Sequence, residues 1–433
     1  MIFSTNSSVP EAHHVNMAVC SSAPSTIYAA YQVGKDGEEY YIMIGTSKDG
    51  GETWDKGRVV VRGGGSMWDP VLYCSGEGKL SLFFGLGEVG GGRGGDLLVI
   101  RSEDGGVGWG ERVLVMAQGE GVLGGGVLSF SNMLVSVSGN LLLPIQSPSS
   151  STSTSAASLI VSTDQGETWS LLPSLSPWNI TTSPASEILD PAIFSGGGSS
   201  GCSVYFRSVS GYAWSALTTD PTCLTGWSEA VERLDLPNPD ARVSVADGPA
   251  GGVFLSGNFG GGGEELGGIG IDKSVDGGAR WARWEGDIGQ GVENVTGTSA
   301  ALVLTPDERK KGNSIYRVIV AYEQPGGIDC RQFSYNVVGD VEDIWNAEMF
   351  FVGVGLSTLF VCILAFLLHL NHKLFSPRKS DLESLQEPLN DRNDRETIND
   401  QTIVRGGTVV TAFGRRGTVR DLRVAADGGL GFS

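Results

Sequence analysis

Two of the aspartates that stand directly before a proline in this chain open strand-like runs. They are Asp69-Pro70, within Met-Trp-Asp-Pro-Val-Leu (67–72), and Asp190-Pro191, within Ile-Leu-Asp-Pro-Ala-Ile (188–193). Each proline opens an apolar, strand-like run, so each carboxylate stands at the start of a strand. If those strands occupy equivalent places around one axis, the two carboxylates face each other. A facing pair suits proton transfer, one group giving a proton while the other takes one. The plainer possibility is that Asp-Pro only initiates the strand.

Other chemistries are set aside by composition. The 433 residues carry a formal charge of −19, whereas nucleic-acid binding needs clustered Lys and Arg, so no nucleic-acid partner is expected. The six cysteines form no C-x-x-C pair and there are four histidines, which argues against a zinc site; no cofactor is expected. Cys202 and Cys223 are the nearest cysteine pair. They either bridge one structural unit in an oxidising compartment or remain buried thiols.

The elements that must position the aspartates announce themselves as a repeat. Ser-Lys-Asp-Gly-Gly-Glu-Thr-Trp (47–54) returns as SEDGGVGW from Ser102, STDQGETW from Ser162 and SVDGGARW from Ser274, with a degenerate form at Thr218–Asp220 and Gly226–Trp227. The steps are about 55–60 residues, and a fixed period of this length marks repeated structural units. Asp followed by Gly-Gly supplies the positive-φ positions of a tight turn, Ser and Asp side chains can cap its N–H groups, and the Trp can bury a large area. Strand-like runs precede the octets (YYIMIGT, GDLLVIR, SLIVS, GIGID). A unit of this size holds about four short strands, which is one blade of a β-propeller.

The octet is the Asp-box, and five copies at this spacing resemble the sialidase (neuraminidase) superfamily, more closely its bacterial-neuraminidase-repeat-like branch. Further fragments carry the resemblance: Met67–Leu72, Leu142-Leu143-Pro144, Phe206-Arg207-Ser208, Leu236-Pro237-Asn238-Pro239, Asn258 in its strand, and Val320-Ala321-Tyr322 with Arg331. It covers about residues 12–338 and implies an all-β, six-bladed propeller whose sixth blade joins strands from both ends of the domain. It also implies that the Asp-boxes lie on the outer rim, away from the substrate, so Asp49, Asp104, Asp164 and Asp276 are structural.

On this resemblance the chemistry belongs at the axis. A sialidase clamps a substrate carboxylate with three arginines, whose planar forks pair both oxygens, and attacks with a Tyr activated by a Glu. Arg207 and Arg331 are the two arginines that can be placed. The Arg-Ile-Pro motif of the first is missing, and His14 stands in that region as a polar group at the channel mouth. Asp69 and Asp190 are expected to serve proton transfer. Glu39, in a loop before the first box, and Trp68, Asn238 and Asn258 join them as substrate contacts. The segment expected to hold the tyrosine, 291–300, has none; Tyr322 is the substitute, with Glu293 as a base or hydroxyl ligand. The function implied is a membrane-anchored exo-glycosidase acting on terminal acidic sugars. The alternative is a propeller that binds glycan or protein without turnover.

The anchor is expected at Met349–Leu370, 22 residues without Asp, Glu, Lys or Arg, long enough to cross a bilayer as a helix. Acidic residues precede it and Lys373, Arg378 and Lys379 follow, so the propeller should face the outside or a lumen and the tail the cytosol. The expected layout is thus 1–11 disordered or truncated, 12–338 propeller, 339–348 linker, 349–370 transmembrane helix and 371–433 disordered tail. The opening residues read as no signal peptide, and a missing upstream segment, carrying also a closing strand, is the expectation. A cytosolic scaffold is the remaining class if no such segment exists.

Overall fold

The computed structural model describes residues 2–337 with short gaps, the longest being 173–187, 259–268, 289–299 and 307–314. Among these residues the fold is six antiparallel sheets arranged as blades. Blade one is β2 (Glu11–Cys20), β3 (Ala23–Gly34), β4 (Tyr41–Ser47) and β5 (Arg58–Val61); blade two is β6 (Ser66–Cys74), β7 (Leu80–Gly87), β8 (Asp96–Ser102) and β9 (Val113–Met116). Blade three is β10 (Ser129–Phe130), β11 (Leu134–Val135), β12 (Leu141–Pro148), β13 (Ser155–Ser162) and β14 (Ser170–Leu171). Blade four is β15 (Ile188–Ser195), β16 (Cys202–Ser208), β17 (Tyr212–Thr218) and β18 (Val231–Pro237). Blade five is β19 (Ser244–Asp247), β20 (Val253–Asn258), β21 (Ile269–Ser274) and β22 (Ala282–Glu285). Blade six is β23 (Ala300–Pro306), β24 (Ile315–Gln324) and β25 (Gly327–Asn336), completed by β1 (Phe3–Ser4).

The ring closes through that last strand. Phe3 pairs with Ile328 and Ser4 with Gly327, so the sixth blade does join both ends of the domain. The closing strand comes from residues 3–4, inside the stretch expected to be disordered or truncated. Two residues are too short to leave an alternating pattern in the sequence.

Strand side chains alternate between the two faces of each sheet, and here both faces are covered. The apolar core is six clusters, each shared by two neighbouring blades; Ile42 and Ile44 of blade one meet Leu82 and Phe84 of blade two, and Ile2 and Ile319 of blade six meet Ile27 and Tyr31 of blade one. The first strands contact one another around the axis, β2 touching both β6 and β23.

The Asp-boxes are compact turns with an internal hydrogen-bond code. Ser47 Oγ donates to Asp49 Oδ1 at 2.8 Å and accepts from Gly51 N at 2.8 Å, while Thr53 N donates to Asp49 Oδ1 at 2.9 Å and Trp54 Nε1 to Gly51 O at 3.1 Å. The same bonds recur around Ser102 and Ser162, and around Ser274 all but the last, since Trp281 Nε1 donates to Tyr205 Oη at 2.9 Å. Hydroxyl and amide donors hold the Asp164 carboxyl at about 2, below its ordinary value, so it is spent on the turn. Arginines latch some boxes to the preceding blade: Arg317 Nη1 donates at 3.0 Å to the carbonyls of Asp49 and Gly50, and Arg233 Nη1 at 3.2 Å to that of Gly278.

Cys202–Cys223 is a disulfide within blade four, and Cys20–Cys74, not anticipated from sequence, joins β2 to β6. Among the described residues no helix is long and apolar enough to cross a membrane; Met349–Leu370 and the tail lie outside them.

Candidate functional site

The first strands of blades one, two and four break their ladders at one equivalent place. The register shifts between His13 and Asn16, between Trp68 and Val71, and between Leu189 and Ala192. In blades two and four a proline sits in the break; it has no N–H to give the ladder, which favours a bulge. The residue entering each break has left-handed backbone: His14 (φ 51°), Asp69 (φ 49°) and Asp190 (φ 47°). Asp and His are among the non-glycine residues that accept this conformation best. A bulge re-aims one side chain, and three at the same height bring three polar groups together.

They meet around an arginine that sequence reasoning missed. Arg242, just before β19, grips Asp69 with both arms, Nη1–Oδ1 at 2.6 Å and Nη2–Oδ2 at 2.9 Å. Its Nε lies 3.4 Å from Asp190 Oδ1, and Arg207 Nε lies 3.1 Å from Asp190 Oδ2. His14 Nδ1 is 3.2 Å from Asp69 Oδ1, though not in hydrogen-bonding geometry. Glu323, from β24, accepts the backbone N–H of His14 at 2.6 Å and stands 3.6 Å from His13 Nδ1. Two glutamines fix the bulged backbone: Gln32 Oε1 accepts from Asp69 N at 3.3 Å, and Gln146 Oε1 from Asp190 N at 3.1 Å and Ser129 Oγ at 3.0 Å.

The electrostatics follow from burial and pairing. Asp69 and Asp190 are almost fully buried, while the side chains of Arg242 and His14 stay 17% and 30% exposed. Burial alone would raise the Asp190 pKa, but Arg242 and Arg207 outweigh it and hold the carboxyl below its ordinary value. Burial likewise opposes ionisation of Glu323, and the two histidines reverse the balance. His14 goes the other way: burial first, then Arg242, lowers its pKa, so the imidazole is neutral at pH 7. Burial opposes the Arg242 charge, but Asp190, Asp69 and Glu323 raise its pKa on balance. A small cavity of about 30 Å³ opens on the cluster, bounded by His14, Asn16, Asp69, Ser131, Arg242 and Ser244. Chemically, Asp190 is an ionised acceptor or base at neutral pH. A general acid needs the opposite shift.

Of the residues expected from sequence, His14, Asp69, Asp190 and Arg207 are brought together. Tyr322 is not: it is 1% exposed in the apolar cluster between blades five and six, among Phe254, Val320 and Ile271. Burial raises its pKa, which is the wrong direction for a nucleophile, against a smaller opposing hydrogen bond from Arg331. Arg331 itself is an exposed residue of β25, opposite Val320. Trp68 lays its indole on the backbone of blade two, where a Cβ on Gly85 or Gly95 would meet the ring at 2.3 or 2.7 Å. Glu39 Oε1 is 3.5 Å from Gly65 N in the loop after β3. Asn238 is buried behind β18, its N–H donating to Gly211 O at 2.8 Å, and Asn258 ends β20 opposite Ile269. Glu293 lies outside the described residues. Among the described residues no cluster of His, Cys, Asp and Glu could hold a metal ion.

This geometry defines a class: a six-bladed Asp-box propeller with a polar cluster at its axis. The chain belongs to the BNR repeat-like domain family, whose model matches residues 25–285, more than half of its length. No curated protein matches it. Among solved structures, a Hadza microbial sialidase superposes with a TM-score of 0.56 at 18% identity, over 76% of this chain and 66% of that one. A Dyadobacter fermentans protein of unknown function superposes with a TM-score of 0.59 at 15% identity, over 78% and 97%. The intramolecular trans-sialidase of Ruminococcus gnavus, in complex with oseltamivir carboxylate, does so with a TM-score of 0.54 at 14% identity, over 78% and 97%. These likenesses establish the sialidase-type fold, and the chain spans about two thirds of the microbial sialidase's length.

Proposed function

We propose that this chain is a sialidase-related, glycan-directed propeller and that the axial cluster is where it takes a terminal sugar. The observation that carries this reading is the convergence of Asp69, Asp190, Arg207 and Arg242 from three different blades, with Asp69 and Arg242 lining one cavity. Sugars are recognised through hydroxyl networks, and ionised carboxylates and guanidiniums are strong partners for them. Binding without covalent turnover is the reading favoured by Tyr322, which is packed in the core where a nucleophile would have to be free. Hydrolysis is kept as a second reading by the two carboxylates on one guanidinium, a pair that could divide proton work.

The setting we propose is a propeller outside the cell or in a lumen, held to the membrane by Met349–Leu370. Two disulfides suit an oxidising compartment, where they persist. Protease accessibility in sealed membrane vesicles tests this; digestion of the propeller from the cytosolic side would sink it.

The functional test is a panel of fluorogenic exo-glycosides, sialosides and uronides included, together with a glycan array, on the full-length chain and its Asp190→Asn variant. Loss of turnover in the variant supports the hydrolase; array binding without turnover supports the lectin-like reading. Silence in both assays from a folded protein removes the glycan reading.

A further inference from the structure

In a site built to hold an acidic sugar, the guanidinium forks must be free to meet the ligand's carboxylate. Here the Arg242 fork is already met. Both terminal nitrogens of Arg242 are bonded to Asp69, at 2.6 and 2.9 Å, and its Nε and that of Arg207 face the two oxygens of Asp190, at 3.4 and 3.1 Å. The pairing is built in, because Asp69 comes from a bulge whose backbone is fixed by Gln32 and Asp190 from one fixed by Gln146. Among the described residues the cluster holds three carboxylates, counting Glu323, against two guanidiniums, and His14 adds no charge at neutral pH.

We propose that the axial site takes a sugar terminus that carries no carboxylate and offers hydroxyl or ammonium donors instead. The inference rests on the glycan reading above and narrows its ligand class. An ionised carboxylate has about four lone-pair positions. The arginine contacts leave positions on Asp69, which lines the cavity, for donors from a ligand there. An anionic sugar would meet a site that is acidic on balance. It would also have to unseat a buried carboxylate from its fork, leaving that charge unpaired, and repulsion of this kind is how sites reject a wrong ligand.

The test compares four methyl glycosides by calorimetry on the full-length chain: a galactoside, a glucosaminide, a glucuronide and an N-acetylneuraminide. The wild type is expected to bind the galactoside or the glucosaminide at least tenfold more tightly than either acidic sugar. Asp69→Asn keeps the shape, and Asn is at ease at φ 49°. It removes one negative charge and frees the Arg242 fork, so the two acidic sugars should gain at least tenfold in affinity. Equal or tighter binding of an acidic sugar by the wild type overturns the inference and leaves the glycan site standing. No binding of any of the four to folded wild-type protein, by calorimetry or on the array, overturns both. The wild-type order of affinities decides the matter even if Asp69→Asn fails to fold.

Discussion

Arg242 and His14 show how one environment sets two side chains to different tasks. Arg242 neutralises two carboxylates that are otherwise buried, so its removal leaves charge without a partner. Arg242→Met should destabilise the propeller by about 3–5 kcal/mol, the usual cost of breaking a buried pair from one side. The urea midpoint measures it, and a loss under 1 kcal/mol would mean that water replaces the guanidinium. The histidine is a matter of protons. Its folded pKa lies below its unfolded one, so the folded state binds fewer protons. Its contribution is therefore complete above the unfolded value of about 6.5 and shrinks as pH falls below it. Melting temperature should drop from pH 7.5 toward pH 5.5, and His14→Asn, which suits φ 51°, should flatten that slope. An unchanged slope would assign the acid sensitivity to another group.

Turns and strands were unequally legible. The Asp-box was readable because its partners are local: the Ser, the Asp and the glycine amide bond to one another within eight residues, and in the boxes at Ser47, Ser102 and Ser162 the Trp joins them. The third box departs in one place. Gln165 has φ 61° where the boxes at Ser47, Ser102 and Ser274 have glycines at 70°, 68° and 71°. Gln165→Gly should stabilise the protein by about 0.5–1 kcal/mol, the left-handed strain relieved less the added freedom of the unfolded chain. Chemical denaturation checks this, and destabilisation would show that the Gln side chain contributes more than its backbone costs. Asp69 and Asp190 were legible because the Asp-Pro bulge repeats. Arg242 was not, since its role arises from packing between blades that no local pattern encodes. Tyr322 misled by a single residue. Along β24 it is Glu323 that reaches the His14 backbone, and a shift of one residue turns a strand's side chain to the opposite face.

At the scale of the ring, every blade depends on two neighbours, and the boxes help to join them. Arg317 is 5% exposed and spans the boundary between blades six and one through two carbonyls. Arg317→Met keeps much of the packing and removes those bonds, so the protein should lose about 1.5–3 kcal/mol, the worth of hydrogen bonds to a charged group. A thermal melt of the full chain measures this; no change would place the closure energy in the apolar cluster around Ile2 and Ile319 alone. The blade repeat was legible from the period and the count of six followed from the family resemblance, whereas the closing pair was too short to read.

That closure gives the molecule a direction of weakness. Residues 2–4 belong to blade six and residues 11–20 to blade one, so the chain straddles the joint that closes the ring. Tension arriving from upstream of Ile2 would pull along this joint and peel β1 from β25. It would open a ring that the Cys20–Cys74 bond staples one blade further on. The staple then acts as a stop: once the first joint gives, force from that side cannot separate blade one from blade two without breaking a covalent bond. Pulled from this end, the propeller should yield in two steps, an early one at low load and a later one that disappears or merges when the disulfide is reduced.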